Sequence, residues 1–118
     1  MHEFGIAQSI FDTVKVESSR LRPGNRVIKV GVRVGHLAGV DVEALKFSFE
    51  AIVSGDELAP LGLEVEQLPH KRICRSCDTA FEVNMTDFDA SCPRCGNLHT
   101  EFVSGDELEI AYLEVEEA

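Results

Sequence analysis

Ile73-Cys74-Arg75-Ser76-Cys77, then 14 residues, then Cys92-Pro93-Arg94-Cys95-Gly96: this stretch holds all four cysteines of the 118-residue chain. Two thiolates three positions apart can hold one tetrahedral ion from a tight turn, and a second such turn closes the tetrahedron. Four thiolates leave no open coordination position. The spacing therefore predicts a structural zinc site at Cys74, Cys77, Cys92 and Cys95, not a catalytic one. Asp78 and Gly96 directly follow the two pairs, and both tolerate the positive φ that turns amides toward sulfur. A zinc ion with four thiolates carries a formal local charge of about −2. Lys71, Arg72, Arg75 and Arg94 lie beside the cysteines and can offset it.

The alternatives are two disulfides, an iron centre and free redox thiols. Disulfides need an oxidising compartment, which nothing in the sequence suggests. A redox Cys-x-x-Cys usually comes singly near a βαβ pattern. Ferrous iron takes the same sulfurs, and spacing does not separate it from zinc.

Outward from this stretch the composition changes. Residues 70–99 hold four basic and four acidic residues, so the whole excess of the −10 net charge lies in the rest of the chain. The last 18 residues contain seven acids and no base. Such a field repels phosphate backbones and suits cationic partners or metal ions. We expect no nucleic-acid partner. No export signal and no apolar run of membrane-spanning length are visible, so no membrane role is expected and the cytoplasm is the expected location. No nucleophile–base pair or phosphate loop is present, so no enzymatic turnover is expected.

Residues 4–21 recur at helical spacing, with Phe4, Ala7, Phe11 and Val14 as one stripe and Ile6 and Ile10 beside it. Pro23-Gly24 is the expected stop. Val27 to Val34 alternates as a strand, with Ile28, Val30, Val32 and Val34 on one face. After the Gly35 to Val40 loop, Asp41 reads as the N-cap of a second helix running to about Val53, with Val42, Leu45, Phe49 and Ile52 inward. Leu63 to Leu68 and Leu108 to Glu116 read as further strands. Within these segments the chain echoes itself at an offset of 50: VSGDEL begins at Val53 and Val103, and LEVE at Leu63 and Leu113. Both copies lead into strands expected in one sheet. The predicted class is α+β: two helices on a small sheet of about three strands, with an inserted zinc-ribbon-like module. The expected division is 1–69 plus 104–118 as an α/β domain that binds nickel, and 70–103 as the zinc domain.

The nickel expectation comes from Met1-His2-Glu3. His2 is too bulky for methionine removal, so the Met1 α-amine should be retained and free. Amine, His2 amide nitrogen and His2 imidazole then fit the nitrogen-rich, square-planar or tetragonal preference of Ni²⁺ and Cu²⁺. The Glu3 carboxylate can fill a further position, and Asp41 can approach the same corner. Each residue also has a plainer reading. His2 can be an exposed side chain, Glu3 a first-turn acid favouring the helix dipole, and Asp41 only a cap. His36, His70 and His99 read as polar loop residues, although His70 and His99 lie four positions outside a cysteine pair.

Taken together, Met1-His2-Glu3, the Gly35 to Val40 loop with Asp41, the Phe47-x-Phe49 helix, both cysteine pairs and the acidic Gly105 to Glu116 ending make the chain resemble the HypA/HybF family of hydrogenase/urease nickel incorporation proteins. The resemblance covers the whole chain. It implies a metallochaperone that binds Ni(II) transiently through His2, with the Met1 amine, backbone nitrogens and Glu3 nearby. Asp41 matches a position where an acidic residue contributes in relatives. It also implies structural Zn(II) on the four cysteines, work with the GTPase HypB, and delivery to the large subunit of [NiFe]-hydrogenase. Urease maturation proteins are further candidate partners. The rival reading is a zinc-ribbon adaptor or nucleic-acid-binding module with no nickel role. The cysteine spacing permits that reading, and the negative field opposes it.

Overall fold

The computed structural model describes residues 2–84 and 89–118. The elements in order are α1 (His2–Ser18), β1 (Arg26–Gly35), a short 3₁₀ turn (His36–Ala38), α2 (Val42–Val53), β2 (Gly62–Leu68), β3 (Lys71–Cys74), β4 (Thr79–Glu82), β5 (Glu101–Ser104) and β6 (Leu108–Glu116). They form two three-stranded sheets, ordered β2-β1-β6 and β4-β3-β5. The chain divides into two compact units. One comprises Met1–Arg33, Val40–Glu66 and Glu109–Ala118; the other comprises Val34–Gly39 and Gln67–Leu108.

The first unit is built from helical and strand periodicities that bury one side each. From α1, Ala7, Ile10, Phe11 and Val14 are buried; from α2, Leu45, Ser48, Phe49 and Val53. Phe11 meets Phe49 edge-on, with ring centroids 6.2 Å apart. Val30 and Val32 of β1 are closed to solvent beneath them. Each such apolar side chain contributes roughly 1.5–3 kcal/mol through burial. Two sequence expectations shift. The stripe is covered only from Ala7 onward, and Phe4 stays 47% exposed. The helix also stops at Ser18 rather than reaching residue 21. There the Arg20 and Leu21 amides bond three residues back, to Glu17 and Ser18, tightening the chain into turns.

The opposite face of this sheet is ionic. Lys29 of β1 pairs with Glu64 of β2 and Glu114 of β6. Arg33 likewise pairs with Glu66 and Glu109. The numbering rises together in β1 and β2 and oppositely in β1 and β6. The sheet is therefore mixed, and α2 is the crossover that lets β1 and β2 run parallel. Between the two cations lies Gly31, where a Cβ would overlap the Tyr112 ring. The Tyr112 hydroxyl donates to Glu64. That bond, with burial and the carboxylates of Glu64, Glu114 and Glu66, pushes the phenol up to about 12. The echoed LEVE segments supply this arrangement, since Glu64, Glu66 and Glu114 all come from them and the two copies flank β1.

In the second unit β3 is the central strand. It pairs antiparallel with β4 (Cys74 opposite Thr79, Arg72 opposite Phe81) and with β5 (Ile73 opposite Glu101, Arg72 opposite Phe102). Val34–Gly39 belongs to this unit. The Gly35 amide donates to the Glu107 carbonyl at 2.8 Å and the Leu37 amide to the Gly105 carbonyl at 2.7 Å. This close approach leaves no room for side chains. A Cβ on Gly35 would overlap the Gly105 carbonyl, and one on Gly105, at φ +127°, would sit 2.8 Å from the His70 Cα.

Candidate metal centres

The cysteine pairs occupy two turns with the same design. Cys74 ends β3, and the chain from Arg75 to Asp78 turns into β4. Asp78 has φ +56° and Gly96 has φ +78°, as the residues after each pair were expected to have. At the second turn the Gly96 amide donates to the Cys92 carbonyl at 2.9 Å, and the Arg94 amide to Cys92 Sγ at 3.4 Å. The β3–β5 pairing and the Asn97–Ser76 side-chain bond at 2.6 Å set the two turns together.

The four Sγ atoms lie within 4.8 Å of one another, the one such ligand group among the described residues. Cys74–Cys95 and Cys77–Cys92 are each 3.6 Å apart. Tetrahedral zinc with bonds of about 2.3 Å needs sulfurs about 3.8 Å apart. The donor set and its spacing fit zinc, and the cysteines are free rather than disulfide-bonded. When bound, the ion supplies a cross-link between the two turns.

The thiols are not equivalent. Burial opposes ionisation of Cys74, but bonds from the Cys77 and Ser76 amides and from Cys95 outweigh it, and its pKa falls below the ordinary thiol value. The Cys95 and Arg94 amides lower Cys92 against its burial. Cys95 accepts from the Asn97 amide, yet the neighbouring sulfurs and burial push it up to about 11. Backbone amides thus supply much of the positive potential expected of arginines. Arg75 instead meets Glu101 at 2.8 Å, and Arg72 reaches Thr100. His70 lies between Arg72 and the Phe102 ring, and the His99 amide bonds Asn97. Neither these histidines nor His36 belongs to a metal-ligating group among the described residues.

At the other candidate centre, Met1 lies outside the described residues. His2 is exposed and opens α1. Glu3 Oε2 accepts the Asp41 amide at 2.9 Å, and Asp41 Oδ1 accepts the Ala44 amide at 3.1 Å. Asp41 is therefore the N-cap of α2, and its cap occupies one carboxylate oxygen. The structure brings Glu3 and Asp41 together across 38 residues of sequence. The capping signal was readable; the Glu3 bond to the cap's own amide was not, because it depends on how two helices meet.

That bond is the largest cause lowering Glu3 below the ordinary glutamate pKa of 4.5. The sign follows: the carboxylate's contribution is present above about 4.5 and is lost as pH falls through its lower folded value. Glu3→Ala should loosen the start of α2, measured as faster hydrogen exchange at the Asp41 amide. Glu3→Gln keeps an acceptor oxygen and should restore most of the protection. Equal exchange in all three proteins would remove Glu3 from this role.

Comparison with known proteins adds four findings. The family model described as hydrogenase/urease nickel incorporation, metallochaperone, hypA matches residues 1–115. A hydrogenase maturation factor HypA from Azotobacter chroococcum is 36% identical over 116 residues, covering 98% of this chain and 100% of that protein. One from Pelodictyon phaeoclathratiforme is 38% identical over 117 residues, covering 99% and 97%. The solution structure of the Ni metallochaperone HypA from Helicobacter pylori shares the fold, with a TM-score of 0.62 at 17% identity and 98% of each chain covered.

Proposed function

The chain belongs to the HypA family of nickel-incorporation metallochaperones, and on that premise we propose that it takes up Ni²⁺ at its amino terminus and delivers it for [NiFe]-hydrogenase maturation. It is a maturation factor and not a catalyst. The ligands we assign are the Met1 amine, the His2 imidazole and amide nitrogen, and Glu3, with Asp41 beside them. Cys74, Cys77, Cys92 and Cys95 are assigned as the zinc ligands that hold the second unit.

The observation that carries the nickel reading is the first turn of α1. His2 stands exposed there, and Glu3 already contacts Asp41. The first amides of a helix have no acceptor within the helix. Deprotonating the His2 amide to bind metal therefore breaks no helical hydrogen bond. His2 and Asp41 border solvent, which suits an ion that must leave again. The Cys₄ cluster differs in both respects: it has no open position for a transient ion, and Cys74 and Cys92 are buried. The acidic surface, with a net charge of −10, disfavours the nucleic-acid alternative. We assign the GTPase HypB and the hydrogenase large subunit as partners and the cytoplasm as the place of action. No helix among the described residues is long and apolar enough to cross a membrane.

Calorimetric nickel titration tests this reading, using tag-free protein beside His2→Ala and a form with one residue added before Met1. The native chain should bind at about micromolar strength. Both altered proteins should bind about 10–100-fold more weakly while keeping their zinc. Unchanged affinity and stoichiometry in both would end the N-terminal assignment.

A further inference from the structure

Among the described residues β2 is an edge strand, hydrogen-bonded to β1 on one side only. Beside its start lies a groove of about 500 Å³ shared with α2. Phe49, Val53 and Leu61, all buried, contribute its apolar lining, and Leu63 stands at the β2 side. We propose that this groove and the open edge of β2 form a docking site for an extended segment of a partner protein, one that alternates apolar and cationic residues. The inference does not depend on the nickel reading.

Three observations select that occupant. The first is the backbone. An unpaired strand edge offers alternating amide donors and carbonyl acceptors, and an extended chain is what satisfies them in register. The second is the alternation of β2, where Leu63 and Val65 are half-buried and Glu64 and Glu66 are exposed. A strand added alongside would place alternate side chains over the groove, against Leu63, Val53 and Phe49. Its other side chains would lie beside Glu64 and Glu66.

The third is charge order across the sheet. On the ionic face, β6 presents Glu109 and Glu114, β1 presents Arg33 and Lys29, and β2 presents Glu66 and Glu64. The sequence of rows is acid, base, acid, so the next row is favourable only if it is basic. Like charges placed opposite one another destabilise a strand pair. This argues against a second copy of the chain adding this same sheet at the site, because the sheet's edge strands β2 and β6 both carry glutamate rows. Lys46 and Glu50, exposed on the α2 rim of the groove, contribute no strong preference of their own.

The test uses the full zinc-loaded protein and three capped eight-residue peptides: alternating valine and lysine, alternating valine and glutamate, and the valine–lysine peptide with its backbone amides N-methylated. Binding of the first should shift the amide resonances of Gly62–Leu68 and of Phe49 and Val53. The glutamate peptide should bind about tenfold more weakly, the effect of two to three cross-strand charge pairs. The N-methylated peptide should not bind. A Glu64→Lys/Glu66→Lys protein, checked for its fold by circular dichroism, should reverse the preference between the two charged peptides. Equal affinity for the two charged peptides would overturn the proposal. So would retained binding of the N-methylated form, shifts confined to β6, or self-association of the protein through β2 without peptide.

Discussion

Cys92→Ser should lose the zinc ion and, with it, the folded state of Gln67–Leu108. Cys92 is 3% exposed, and it accepts the Arg94 amide while its own amide donates to the Asn97 carbonyl. Removing its sulfur therefore takes away an assigned ligand and the acceptor that shapes the second turn. Structural zinc in small modules supplies on the order of 10 kcal/mol of folding free energy. The four-residue strands β3, β4 and β5 bury little besides Cys74. The expected result is a protein that retains no zinc against a chelator and shows fast amide exchange through 67–108, while α1, α2 and β1 stay protected. Cys95→Ser, at the exposed corner of the cluster, should weaken zinc less. A Cys92→Ser protein carrying one equivalent of zinc with native exchange would show that the ligand set is wrong.

Gly35→Ala should destabilise by about 3 kcal/mol. The backbone of Gly35, at φ −78° and ψ 150°, is one that alanine adopts freely. The whole penalty is therefore steric, from a Cβ driven into the Gly105 carbonyl. Neither atom is the flexible end of a side chain, so relief requires the Gly35–Glu107 and Leu37–Gly105 hydrogen bonds to lengthen. Gly5→Ala provides the contrast: Gly5 lies in α1 with open space where its Cβ would be, so the same change should stabilise by about 0.5–1 kcal/mol through helix propensity. Thermal unfolding of the zinc-loaded proteins should place the two variants on opposite sides of the parent, Gly35→Ala lower by about 10 °C. A neutral Gly35→Ala would mean that this close approach is not maintained in solution.

Much of the first unit was legible because its elements are long enough to show their period. Ile28 to Val34 of β1 alternates in sequence, and Asp41 announces α2 through its capping chemistry. The strands of the second unit were not legible. Each spans four residues, and β3 carries Lys71 and Arg72 next to Ile73, so no alternation has room to appear. The ionic rows were also invisible as rows. Lys29, Glu64 and Glu114 are distant in sequence, and only the order β2-β1-β6 makes them neighbours. The echoed LEVE did hint that two strands share one sheet. At the metal centres, cysteine spacing carried the ligand group by itself, since two tight turns suffice to gather four sulfurs. The Glu3–Asp41 contact has no local signature, because it follows from the packing of α1 on α2.

The seating of Tyr112 over Gly31 has a practical consequence. The chain has no tryptophan and only one tyrosine, so its intrinsic ultraviolet emission arises from a single ring on the first sheet. A carboxylate hydrogen-bonded to the phenol quenches that emission, and separating β6 from β2 should brighten it. Melting of that sheet can thus be followed without any attached dye, while cobalt substituted at the four sulfurs would give the other half of the molecule a visible colour of its own.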